Sequence, residues 1–128
     1  MQVLRHALEC AAPAVADEGE HEHRAGCMLL AKCLNENMPN VEAVVTDYGW
    51  PKDESIFEGA ASVVMYCDGG RHHVVNAHRE SFQKLIDKGV GLVCLHYAVE
   101  VPKGEEGDTF LNWLGGYFET DWSVNPHW

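Results

Sequence analysis

Positive charge is the scarcest property of this chain. Its 128 residues include 9 Lys and Arg against 20 Asp and Glu, which gives a formal net charge of -11 at pH 7. Proteins that bind the phosphate backbone of nucleic acids need clustered cations. The composition therefore argues against a nucleic-acid partner.

Long apolar runs are also missing. No stretch approaches the roughly 20 residues that span a bilayer. The opening residues, Met1 to His6, lack the charged start and long apolar centre of a signal peptide. The sequence therefore predicts a cytoplasmic protein with no membrane partner. Its length is that of about one domain with a single core.

The five cysteines include no CxxC pair, so a zinc finger is not expected. Cys27 and Cys33 fall in a helical pattern, Cys67 at the end of an apolar run and Cys94 inside another. Because these contexts are apolar and the number of cysteines is odd, we expect reduced, buried thiols rather than a disulfide framework.

Helical and strand patterns alternate along the middle of the chain. Apolar residues over 24–38 follow the spacing of one helix face, and a second helix is predicted over 76–88 with Asn76 as its N-cap. Residues 47–59 are predicted to form a loop with one turn of helix. Strands are predicted at 41–46, 61–66 and 90–95. This alternation predicts an α/β fold with a doubly wound, mainly parallel sheet.

The two ends of the chain do not fit this pattern. Residues 1–18 combine an Ala-rich stretch with the start of an acidic run, and they do not predict a first sheet strand. They are interpreted as an atypical N-terminal segment. Residues 123–128 carry two aromatic rings, including Trp128, with no closing element behind them. The sheet is therefore expected to be incomplete, and its open edges favour association into a homo-oligomer.

Polar side chains follow two of the predicted strands. The strand at 90–95 runs into His96, Tyr97 and Glu100, and the strand at 61–66 runs into an Asp-Gly-Gly turn at 68–70. Ligands of open α/β sheets bind beyond the carboxyl ends of the strands. The two segments are therefore expected to build one pocket.

Each of these features has an ordinary structural explanation. His96 can be a core histidine bonded to a neighbouring carbonyl, and Asp-Gly-Gly is a common turn. Of the nearby histidines, His72 is expected nearest the strand edge and His73 and His78 at the surface. The tryptophans at 113, 122 and 128 can be core residues.

His21 and His23 alternate with Glu20 and Glu22, a mixture of imidazole and carboxylate groups that suits a divalent metal. The two histidines can point the same way in an extended turn, but within a helix they would lie about 200° apart. The alternative is a solvated, acidic helix start.

Five ordered segments resemble the ThuA-like, or trehalose-utilisation, family. They are Glu20-His-Glu-His-Arg-Ala-Gly26, Tyr66-Cys-Asp-Gly-Gly70, the segment 89–100, Gly115-Gly-Tyr-Phe-Glu119 and Ser123-Val-Asn-Pro-His-Trp128. The resemblance covers residues 19–128. It implies a flavodoxin-like sheet related to class I glutamine amidotransferases, and a link to trehalose-type or 3-keto sugars.

Two features depart from the family pattern. Members of the family begin with a strand that leads into a Gly-rich turn, which residues 1–18 do not match. The family domain also runs well beyond the Asn-Pro-His-Trp segment. The resemblance therefore implies a ThuA-like domain over 19–128 that is truncated at its C-terminus.

The resemblance also implies the function and the site. His96 stands where a related amidotransferase carries its nucleophilic cysteine, and Cys94 should be buried, so cysteine glutaminase chemistry is rejected. The predicted function is metal-assisted processing of a disaccharide or keto-sugar, of hydrolase or isomerase type. The alternatives are a non-catalytic carbohydrate-binding or regulatory module and an inactive fragment.

The predicted site residues fall into three groups. His96 and Glu100 are the predicted catalytic residues. Zinc or manganese would be bound by His21, His23 and His96. Contacts with the sugar are predicted for Asp68, Gly69, Gly70, Tyr97, Glu119, Trp122 and Asn125.

Overall fold

A four-stranded parallel sheet forms the centre of the structure, a computed structural model that describes residues 4–10, 22–47 and 49–122. Its strands are β1 (Leu4–Cys10), β2 (Val41–Asp47), β3 (Ala60–Tyr66) and β4 (Gly91–Leu95). They lie in the order β2-β1-β3-β4. Three helices pack with them: α1 (His23–Asn37), α2 (Arg79–Asp87) and α3 (Glu105–Leu114). The fold is therefore mixed α/β.

A second sheet holds only two short parallel strands. β5 (Glu100–Val101) follows a single 3-10 turn over His96–Val99, and β6 (Phe118–Glu119) follows α3. Glu100 is the register partner of Phe118, and Val101 is the partner of Glu119. Past the carboxyl end of β4, the chain therefore continues into this second, smaller sheet.

The side chains of β3 separate two apolar clusters. Val63 and Met65 belong to a cluster that includes Phe82 of α2 and Phe110 of α3. Val64, between them, packs instead with residues of α1 and β2. Because successive side chains of a strand point to opposite faces, the helices cover both faces of β3.

Helix α1 packs against the sheet through one apolar stripe. Cys27 and Ala31, one turn apart, are buried against Ala43 of β2. The helix ends where the Met38 N–H donates to the Leu34 carbonyl at 2.9 Å, just before Pro39, whose ring cannot continue a helix. The predicted helix over 24–38 is thus confirmed.

The sequence did not predict β1, and that expectation was wrong. Leu4–Cys10 lies between β2 and β3, with Ala7 in register with Val44 on one side and Val63 on the other. Inner parallel strands usually read as nearly continuous apolar runs. The polar residues Arg5, His6 and Glu9 interrupt this one, which explains why the pattern was missed.

The other predicted strands are confirmed to within one residue, and the turn of helix expected in the 47–59 loop is present at Glu54–Phe57. The N-cap assigned to Asn76 was wrong. Asn76 opens a 3-10 turn before α2, and its side-chain amide donates to the Gly70 carbonyl at 3.1 Å. α3, β5 and β6 were not predicted.

Cys33, Cys67 and Cys94 have free thiols, whereas Cys27 is disulfide-bonded, so the expectation of a reduced thiol was wrong at Cys27. The expectation of burial was wrong at Cys33, which is exposed. Within the described ranges, no helix combines the length and apolar character needed to cross a membrane.

Candidate functional site

The loops beyond β3 and β4 touch at Gly69. A Cβ atom on Gly69 would collide with the Tyr97 carbonyl oxygen, and it would lie 2.7 Å from the Glu100 Cβ and 2.9 Å from the Glu100 carbonyl oxygen. Such distances leave no room for any side chain. The Asp-Gly-Gly turn therefore lets the two loops cross in direct contact, and this contact fixes the backbone of Glu100.

A buried histidine joins the same two loops. His73, 3% exposed, accepts a hydrogen bond from the Val75 N–H through Nδ1, so its Nε2–H donates to the Ala98 carbonyl at 2.8 Å. Burial lowers the pKa of His73 to about 4, against the opposing effect of the bond to Ala98. His73 is therefore a neutral core residue, and the prediction that it lies at the surface was wrong. His72, expected nearest the site, is exposed.

A pocket of 230 Å³ opens above this crossing. It is lined by His96, Tyr97, Val99, Glu100 and Phe118. Glu100 and Phe118 are register partners on β5 and β6, so their side chains lie side by side on one face of the small sheet. The pocket thus combines one carboxylate with two aromatic rings and an imidazole.

His96 has an unusual backbone conformation. Its φ of 57° lies in the left-handed region, which is uncommon for residues other than glycine and tends to occur at functional sites. The imidazole is exposed and lies edge-on to the Tyr97 ring, with centroids 4.3 Å apart. His96 is therefore not a core histidine, and the turn presents it at the pocket.

Glu119 faces away from this pocket. It is one residue beyond Phe118 on a strand, so its side chain lies on the opposite face. There it accepts a long hydrogen bond, 3.5 Å, from the Tyr117 hydroxyl. Burial, followed by the Glu119 charge, raises the pKa of Tyr117. Glu100 and Glu119 therefore do not form a pair of carboxylates around one ligand.

His23 reaches the carboxyl end of β3 from the start of α1. It is 1% exposed, and its Nε2 lies 3.9 Å from Oδ1 of Asp68. Its ring also meets the Tyr66 ring edge-on, with centroids 4.7 Å apart. Tyr66 in turn lies against Gly26, where a Cβ would be 2.5 Å from the ring. The structure thus brings His23 to the same sheet edge as Asp68.

The predicted metal site is only partly within the described residues. His21 lies outside them, and no group of three or more His, Cys, Asp or Glu in the described part of the chain is placed to hold a metal ion. His23 and Asp68 supply two donors at most. Metal binding by His21, His23 and His96 therefore stays a prediction of the sequence.

The other residues singled out in the sequence lie away from the pocket or outside the described residues. Asn125 lies outside the described residues, as does Trp128. Trp122 is 80% exposed and does not line the pocket. Trp113 is half-buried and packs against Phe82 of the core, with ring centroids 5.1 Å apart.

Cys94 has the chemistry of a structural thiol. Burial raises its pKa to about 12. A thiol that is protonated at neutral pH is a poor nucleophile, which agrees with the rejection of cysteine glutaminase chemistry.

A larger cavity, of 590 Å³, lies at the opposite end of the sheet. It opens between the 54–57 turn and α2, next to Ala60 and Val90 at the amino ends of β3 and β4. Its charged residues, two lysines and two glutamates, are exposed. Because ligands of open α/β sheets bind beyond the carboxyl ends of strands, we regard the smaller pocket as the candidate site.

Two pocket residues were missed by the sequence analysis, Val99 and Phe118. Phe118 lies within the family-like segment 115–119, but its position depends on the pairing of two strands of two residues each. No local pattern signals such a pairing.

The chain matches no protein-family model, and searches of curated proteins and of solved structures found no match.

Proposed function

We propose that this chain is a ThuA-like carbohydrate-processing domain whose ligand is a keto-sugar bound beside Glu100. The observation that carries the proposal is the pocket in which Glu100 lies next to Tyr97 and Phe118. Sugars present hydroxyl groups and C–H faces together, which a carboxylate and aromatic rings complement. The resemblance of five sequence segments to the family supports the same ligand class.

The size of the pocket favours one sugar ring. At 230 Å³ it falls below the roughly 300–1,000 Å³ of sites for drug-sized ligands. A monosaccharide is therefore a better proposal than a disaccharide.

The proposed reaction is a proton transfer next to the sugar carbonyl. Two-carboxylate glycoside hydrolysis places its carboxyl groups about 5–9.5 Å apart around the scissile bond, and the described lining residues of this pocket include one carboxylate, Glu100. In the proposal Glu100 takes the proton from the carbon beside the carbonyl while His96 donates a proton to the carbonyl oxygen, which gives an enediol. Glu100 then delivers its proton to the former carbonyl carbon, and the hydroxyl of the neighbouring carbon gives its proton back to His96 as that carbon becomes the new carbonyl, so the product is an isomerised sugar.

The finer fold assignment is part of the proposal. The strand order β2-β1-β3-β4 is the beginning of the flavodoxin-like order 2-1-3-4-5. Clusters on both faces of β3 support a doubly wound arrangement. Zinc or manganese bound with the help of His21, and a cytoplasmic location, stay predictions of the sequence; the disulfide at Cys27 does not favour the latter.

Titration of sugars into the purified chain tests the proposal. Isothermal calorimetry with a ketohexose, the corresponding polyol and a disaccharide should show binding of the ketohexose. Glu100→Gln should weaken that binding about tenfold, because hydrogen bonds to a charged group are worth roughly 1.5–3 kcal/mol. Deuterium exchange from solvent into the sugar, followed by NMR, should be lost in the same variant.

Glu58→Gln is the matched control, since Glu58 is a carboxylate that lines the larger cavity. It should bind and exchange as the wild type does. Sugar binding without exchange in the wild type would favour the carbohydrate-binding module instead. The proposal fails if no sugar binds, or if both variants have the same effect. Repeating the series with EDTA shows whether exchange depends on a metal.

A further inference from the structure

The β2 edge of the main sheet is closed by a side chain. The carboxamide of Asn35, on α1, accepts from the Ala43 N–H at 2.8 Å and donates to the Ala43 carbonyl at 3.0 Å. These are the two backbone groups that a further strand would need at that point. β2 also carries the charged residue Glu42. Both features are ways in which proteins prevent an edge strand from pairing.

The β4 edge has neither protection. Among the strands that the structure describes, β4 has β3 as its single neighbour. The sequence from Gly89 to Leu95 contains no charged residue and no proline. Val93, at the centre of the strand, is 44% exposed although it lies on a sheet face. An uncharged edge with an exposed β-branched residue is a surface on which another strand can add.

We propose that β4 pairs antiparallel with β4 of a second copy of this chain, centred at Val93. A strand that pairs with itself around a two-fold axis uses the same surface twice. This edge suits such pairing because it brings no like charges together, although each chain carries a net charge of -11. The closed β2 edge stops the sheet from growing further, so the assembly ends at two copies.

The expected dimer is weak. Pairing along the five residues of β4 buries less than the roughly 1,200 Å² of a stable interface. Repulsion between two acidic chains weakens it further at low salt, and screening reduces that repulsion. Dimerisation should therefore depend on protein concentration and increase with ionic strength.

Sedimentation velocity over an about hundredfold range of concentration tests this. The wild type should shift from monomer to dimer and no further. Val93→Lys places a charge at the centre of the edge and should stay monomeric throughout. Leu29→Lys is the control, because Leu29 is 63% exposed on α1 and away from β4. It should dimerise as the wild type does.

Hydrogen exchange by mass spectrometry supplies a second measurement that needs no variant. Amides of residues 91–95 should exchange more slowly at high protein concentration, while those of β2 should not change. A wild type that stays monomeric, or β4 exchange that is slow at every concentration, would overturn the proposal. Sugar binding does not enter either measurement, so this inference and the proposed function can fail separately.

Discussion

The two ends of the four-stranded sheet differ in how their loops are held. At the carboxyl end, Gly69 lies in direct contact with the backbone at 97–100, and buried His73 bonds to Ala98. At the amino end, a cavity of 590 Å³ opens between the 54–57 turn and α2, although Phe57 of the turn and Phe82 of α2 share one buried cluster. Binding groups need a rigid support to hold their geometry, so contact between loops locates the candidate site better than cavity volume does.

Replacing a glycine at each end should show the contrast most strongly. Gly69→Ala puts a methyl group into the Tyr97 and Glu100 backbone and should cost about 4 kcal/mol of unfolding free energy. Gly59→Ala, at the amino end, meets no atom within 4 Å but requires a φ of +72°, which should cost about 1 kcal/mol. Denaturant unfolding measures both. Equal losses would mean that the carboxyl end is not the tighter one.

His73 should make the stability of the carboxyl end depend on pH. Its pKa falls from 6.5 in the unfolded chain to about 4 in the folded one, so the folded state binds fewer protons between these values. The contribution of His73 to the free energy of unfolding is fully present above pH 6.5 and is lost as the pH falls toward 4. The total loss is about 3 kcal/mol. The Cys67 thiol faces the ring, with Sγ 3.7 Å from Nε2.

Unfolding by urea between pH 7 and pH 4 checks this prediction. His73→Gln keeps a donor for the Ala98 carbonyl and should remove most of the acid-induced loss. His78→Gln is the control, because His78 stacks on Trp50 and has no bond to Ala98; it should keep that loss. An unchanged pH profile in His73→Gln would show that other groups cause the acid sensitivity.

Local patterns were enough to predict that the residues following β3 and β4 lie together at the carboxyl end of the sheet. The runs of β-branched and apolar residues in β2, β3 and β4 identify strands, and the rule for parallel sheets places the residues after β3 and β4 at one edge. Asp68, His96 and Glu100 followed from this reasoning, and the structure places them at that edge. Whether they act on a sugar stays a proposal.

The features that the sequence did not predict depend on contacts between residues that are far apart in the chain. β1 was missed because polar residues interrupt its apolar run. Phe118 enters the pocket, and Glu119 leaves it, only through the register of β5 and β6. His73 and His72 are adjacent in sequence, and only the path of the loop over Ala98 decides which of them is buried. A pattern read along the chain contains no information on these pairings.

The smallest effect is expected for the exposed ion pair at the carboxyl end. Arg71 Nη2 lies 3.1 Å from Oδ2 of Asp121, but both side chains are more than half exposed. Such pairs contribute about 0–1 kcal/mol, so Arg71→Ala should lower the unfolding free energy by less than about 1 kcal/mol. A double-mutant cycle with Asp121→Ala measures the pair itself. A coupling as large as the Gly69→Ala effect would mean that charge, rather than buried contact, holds this end of the sheet together.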